Sequence, residues 1–205
     1  MKRRRVTKPP EVLTGICSNC GSEVLDSDIA MSGFFIGVGY RQLCSLCYAV
    51  NAEASAALKR FKPHKFDPVQ VIDCQGVPHD FRLRMNCFGP GVALNADEIV
   101  DGYLRGYQFQ IIGDPEEDPI DLLGRLVEKM HRALAVKHLA AGEYGVRIAD
   151  HGVVRGLIEW DSCEEGLPYL NVDGRQVTWD ELGRMLLTYE GWQFKLEIRD
   201  KSEEV

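Results

Sequence analysis

At 205 residues the chain suffices for one sizeable domain, or for a small module joined to a domain with its own core. Its composition, 45% hydrophobic and 27% charged, excludes a disordered or fibrous chain, and no apolar run approaches the roughly 18 residues a membrane-spanning helix requires. The formal charge of −7 conceals an asymmetry: residues 1–66 carry ten Lys/Arg against five Asp/Glu, net +5, and the remainder is net −12. A basic end beside an acidic body either serves anionic partners or holds the two parts together by mutual attraction.

The N-terminus, MKRRRVTKPP, is basic but lacks the apolar stretch of a secretory signal, so a cytoplasmic location without membrane attachment is expected. Seven cysteines, an odd number, fit poorly with a fully paired disulfide framework. Four form two C-x-x-C pairs, Cys17 with Cys20 and Cys44 with Cys47. Cys74, Cys87 and Cys163 remain, as small, partly buried hydrophobes of a reducing compartment.

A C-x-x-C turn aims both sulfurs at one point, with backbone N–H groups at hand. Two such pairs close a tetrahedral thiolate shell with bonds of about 2.3 Å and no open position for chemistry. A structural Zn2+ is expected on Cys17, Cys20, Cys44 and Cys47, although iron suits the same ligand set. Beyond the second pair, Leu46, Val50, Ala54, Ala57 and Phe61 recur at helical steps and draw one apolar stripe. The helix's positive N-terminal end faces the thiolates, and Lys59, Arg60 and Lys62 suit its other end. Between the pairs, SGFFIGVGYRQL reads as a glycine-punctuated hairpin ending in a strand, without the spacing of a phosphate loop. The motifs CSNCG and CSLCY and the helix after them, spanning about residues 14–63, resemble a treble-clef, or zinc-ribbon-like, zinc finger. The resemblance implies a structural metal. It is equally compatible with nucleic-acid binding, protein binding and plain support.

KPHKFDP, with two prolines, marks a junction, so the chain divides into a zinc module over 1–66 and an acidic domain over 67–205. VQVIDC, HDFRLRMNCF, VALNADEI and YQFQIIGD then read as antiparallel strands, with GPG as a turn. Phe81, Leu83 and Met85 alternate with Arg82, Arg84 and Asn86, giving the sheet one buried face. The next stretch predicts a long helix from Pro119, capped by Asp118, ending at Gly142, with Leu123, Leu126, Val127, Met130 and Leu134 as its buried stripe. YGVRIAD, VVRGLIEWD and PYLNVDG supply further strands. Thr178 and Glu181 form a capping box for a helix to about Tyr189, and WQFKLEI reads as a last strand before a solvated tail. The fold class is therefore α+β: a treble-clef-like zinc module, then a largely antiparallel sheet with two packed helices.

Candidate chemistry beyond the cysteines is thin. Asp114, Glu116, Glu117, Asp118 and Asp121 crowd a helix N-terminus, where acids are favoured without any cation. His131 and His138 share the long helix as edge-of-core residues. The expected function is non-enzymatic binding. The partner is nucleic acid, through Lys2, Arg3, Arg4, Arg5, Lys59, Arg60, Lys62 and Lys65, or else a protein. The rival reading is an enzyme whose site lies in the acidic domain, using Cys163, His151 or the acidic loop. The sequence leaves the oligomeric state open.

Overall fold

The structure, a computed structural model, describes residues 14–25, 29–30, 42–44, 47, 64–88, 91–143, 145–160 and 167–203. The hairpin read from SGFFIGVGYRQL up to residue 41, the helical stripe beyond Cys47, Cys163, and every basic candidate except Lys65 lie outside these residues. Lys65 is exposed.

Among the described residues the fold is α+β, with antiparallel sheets, two complete helices and an N-terminal cysteine cluster. Two short antiparallel pairs come first: β1 (Thr14–Ile16) with β2 (Glu23–Leu25), and β3 (Ile29–Ala30) with β4 (Leu43–Cys44). A four-stranded antiparallel meander follows, formed by β5 (Val69–Ile72), β6 (Pro78–Phe88), β7 (Gly91–Val100) and β8 (Tyr103–Gly113). The alternation in β6 does what period-2 patterning demands: Phe81, Leu83 and Met85 are buried on the face that α1 (Pro119–Leu134) covers. From α1 come Leu122, Leu126, Met130 and Leu134, one residue each turn. The stripe thus centres on Leu122, with Leu123 at its margin. Burying these apolar side chains contributes about 1.5–3 kcal/mol each. The opposite face of the meander is polar and largely covered: Arg84 makes two hydrogen bonds to buried Asp97, and Asn95 links Asn86 to Gln110.

The predicted extension of α1 to Gly142 does not form. The helix stops at Leu134, and Leu139–Gly142 is β9, paired with β10 (Gly145–Ile148). The Asp173 carboxylate takes the N–H groups of both His138 and Leu139 at 2.7 Å, and so turns the chain out of helix. His138 is therefore off the helix and shares no face with His131. It stacks edge-on against His151, 5.3 Å away.

A second core, built on Ile148, Val172, Val177 and Met185, lies under β11 (Leu157–Trp160), β12 (Pro168–Val172), β13 (Arg175–Val177) and α2 (Trp179–Leu186). Asp173 and Gly174, both at positive φ, make the tight β12–β13 turn. The capping box on α2 is present as read: the Thr178 hydroxyl accepts from Glu181 N–H, and the Glu181 carboxylate accepts from Thr178 N–H. A 3-10 turn, Leu187–Tyr189, finishes the helix.

Two C-terminal expectations are corrected. Residues 192–198 form no strand: alternation supplies an apolar face, but no described strand pairs with this segment. The chain turns at Gly191, where Trp192 N–H bonds Tyr189 O and the two rings meet at 5.5 Å. The tail is not free in solvent either. Lys129 on α1 donates to the carbonyls of Lys201 and Glu203, while Lys201 Nζ donates to Gln108 on β8.

Candidate metal centre

The first C-x-x-C occupies the β1–β2 connection. Cys17 N–H bonds Ser22 O, Gly21 N–H bonds Cys17 O, and Gly21 sits at φ 70°, a left-handed position that glycine takes at little cost. This tight knuckle is tied to the second by Ser18 N–H on Gln42 O at 2.8 Å. Cys44 ends β4, and Cys47 lies in helical backbone. Cys17, Cys44 and Cys47 are buried with Leu43, and Val24 packs on them.

All four sulfurs lie within 4.8 Å of one another. Cys20 and Cys44 Sγ are 3.8 Å apart, too far for a disulfide. The edge of a tetrahedron with metal–sulfur bonds of about 2.3 Å is ~3.8 Å, so this pair already has the separation a shared ion requires. Cys44 N–H points at Cys17 Sγ at 3.2 Å, Cys47 N–H at Cys44 Sγ at 3.5 Å, and the Asn19 amide at Cys47 Sγ at 3.3 Å. Burial opposes ionisation of Cys17, but the N–H groups of Cys20, Cys44 and Asn19 outweigh it and draw its thiol down to about 6. Burial pushes Cys44 up to about 12. A first thiolate forms readily and further ones repel it, an imbalance that a bound cation relieves. Asn19 is a contributor that the cysteine spacing did not single out.

The acidic loop is spent on local structure. Asp118 accepts Ile120 N–H, Asp114 accepts Glu116 N–H, and Glu117 pairs with Arg125 at 2.9 Å. Among the described residues, the four cysteines are the one group positioned to share a metal. Cys74, expected to be partly buried, is exposed because it sits in the turn that Asp73 organises after β5. The His151 ring bonds Lys137 O and Val153 N–H, which ties it to backbone.

A second polar constellation went unnoticed in the sequence. Asp73 Oδ1 accepts Gln75 and Val77 N–H, and Asp73 Oδ2 accepts Lys137 Nζ at 2.8 Å and faces His79 Nε2 at 3.2 Å. His79 Nδ1 lies 2.6 Å from Glu98 Oε1, Glu98 Oε2 accepts Tyr107 N–H, and Lys137 donates to Tyr107 Oη. Period-2 counting marks only the positions of three members, since His79, Glu98 and Tyr107 each continue an apolar row, ahead of Phe81, after Ala96 and before Phe109; Asp73 and Lys137 lie outside any strand. The core face of the meander thus ends in charge.

Beside this cluster lies a cleft of about 300 Å3, bordered by Lys137, Asp173 and Arg175. Burial would raise Asp73, but the bond from Lys137 and those from Val77, His79 and Gln75 hold its carboxyl well below the usual range. Burial would lower Lys137, but Asp73 and Tyr107 more than offset it, so its ammonium titrates above the usual value, and burial raises Tyr107. All three shifts move away from neutrality. That suits a fixed ion-pair network rather than an acid–base pair working near pH 7.

Residues 62–135 match the family described as domain of unknown function DUF7686, and residues 138–203 match the domain of unknown function DUF7713. No curated protein and no solved structure matches the chain. Among the described residues, no helix is long and apolar enough to cross a membrane.

Proposed function

We propose that Cys17, Cys20, Cys44 and Cys47 hold one structural Zn2+ in a treble-clef-like module over residues 1–66. The chain acts in the cytoplasm as a non-enzymatic binding protein, its basic module contacting nucleic acid and its acidic domain, 67–205, serving as the body. The observation that carries the metal assignment is the packing of four sulfurs within 4.8 Å, three of them buried and each of those met by an N–H donor. Zinc is preferred to iron because a closed four-cysteine shell on two knuckles in a module with little core of its own suits a folding role. The nucleic-acid reading rests on the net charge of +5 over residues 1–66, concentrated in Lys2, Arg3, Arg4, Arg5, Lys59, Arg60, Lys62 and Lys65. A protein partner is the alternative for the same surface.

Fluorescence anisotropy with labelled single- and double-stranded nucleic acid, over a range of salt concentrations, tests this reading. Binding that weakens steeply with salt, with a shallower slope when Arg3, Arg4 and Arg5 are neutralised, is the expected result. Absence of binding at low salt refutes nucleic acid as the partner and leaves the protein-binding form.

A further inference from the structure

The stretch Trp192–Arg199 is held at both ends and bare in between. Tyr189 and Trp192 anchor its start, and the carbonyls of Lys201 and Glu203 on Lys129 anchor its end. Between them no backbone-to-backbone hydrogen bond joins residues 193–199 to any other described residue. Trp192, Phe194, Leu196 and Ile198, which would form one row of an extended strand, are 75, 88, 74 and 68% exposed. Among the described residues β11 is an edge strand of its sheet, and the far end of the segment lies beside it: Lys201 Nζ donates to the Gln108 side chain, which in turn donates to Glu159 of β11. That edge adds exposed Ile158 and Trp160. An apolar row with unsatisfied strand-pairing groups is a template for another chain.

The charges on the alternate face say which chain. We propose that residues 193–199 of two copies of this protein pair as antiparallel strands about a twofold axis at Leu196. That register sets Lys195 opposite Glu197 of the second copy, twice. It sets Gln193 opposite Arg199, Phe194 opposite Ile198, and Leu196 opposite itself. Within 193–199 every apolar residue meets an apolar one, and both charge pairs are complementary. Moving the axis one residue, to Lys195, opposes Lys195 to itself. Moving it to Glu197 opposes Glu197 to itself and Lys195 to Arg199. Within one copy Glu197 already attracts Lys195 at 3.2 Å and Arg199 at 3.4 Å. Pairing therefore redirects existing attractions across the axis and covers the apolar row.

Sedimentation velocity on the zinc-loaded full chain tests the register through K195E, E197K, the double variant K195E/E197K, and an equimolar mixture of the two single variants. The wild type is expected to dimerise. Each single variant opposes like charges at two positions and weakens the dimer roughly tenfold. The double variant restores it, and the mixture forms heterodimers because each chain then meets its complement. A monomeric wild type overturns the proposal, whether the segment stays bare or adds to β11 of its own chain. So does a dimer indifferent to the single substitutions, or single-variant losses that neither the double variant nor the mixture repairs.

Discussion

Lys137 Nζ lies 2.8 Å from Asp73 Oδ2, and the two side chains are 18 and 1% exposed. Asp73 sits in the turn after β5, and Lys137 falls between the two family matches, which end at residue 135 and begin at residue 138. The pair therefore fastens the meander to the segment leading into the second core.

Removing the cation alone should strand a buried carboxylate. K137M is expected to destabilise the chain by about 2–4 kcal/mol, somewhat below the full cost of breaking a buried pair, because Gln75 and Val77 N–H and His79 still serve Asp73. A K137M and D73N double-mutant cycle in urea should give a favourable coupling of about 1–3 kcal/mol. Additive losses would mean the contact contributes nothing.

The same network sets a pH window. The folded Asp73 pKa lies below its unfolded value near ~3.9, so the stability it lends is complete above that pH and is lost as pH falls through the folded value. The folded values of Lys137 and Tyr107 lie above their unfolded ones, near ~10.4 and ~10, so their contributions hold below pH ~10 and are lost as pH rises through the folded values. Hydrogen exchange of amides in β6–β8 should show a plateau of protection between about pH 4 and 10. In K137M the acid limb should move to higher pH.

Metal removal should act locally. Structural zinc contributes about 10–16 kcal/mol of apparent binding energy to small modules. The native protein is expected to carry one zinc per chain by mass spectrometry. C47S should carry none, and its β1–β2 amides should exchange freely while those of α1 stay protected. Protected β1–β2 amides in a zinc-free chain would refute the structural role.

Gly106 has φ +92°, and a Cβ there would overlap the Glu98 carboxylate, which is buried against His79 and Tyr107 N–H. G106A should cost about 2–3 kcal/mol, from backbone strain and from displacing that carboxylate. G124A meets open space in α1 and should be neutral or stabilising, by at most about 1 kcal/mol. Thermal melts of both variants separate the two effects.

What could be read in advance follows the physics. The cysteine spacing named the four sulfurs that come together because C-x-x-C is local geometry. The α2 capping box and the β6 alternation were legible for the same reason. The end of α1 was not, because Asp173, 34 residues beyond Leu139, captures the amides that would have continued the helix. The Asp73–His79–Glu98–Lys137 cluster was hidden because ion pairing is a property of register between strands, not of any one strand. WQFKLEI misled because an alternating row specifies a face and leaves its pairing partner to the rest of the molecule.

The two cores meet across a polar seam. Gln108 bonds Glu159 at 2.6 Å, Asn171 bonds the Gly106 carbonyl at 2.6 Å, and Asp173 holds the turn that leads from one to the other. A joint made of hydrogen bonds and charge, with each apolar core closed on its own side, comes apart without wetting either core.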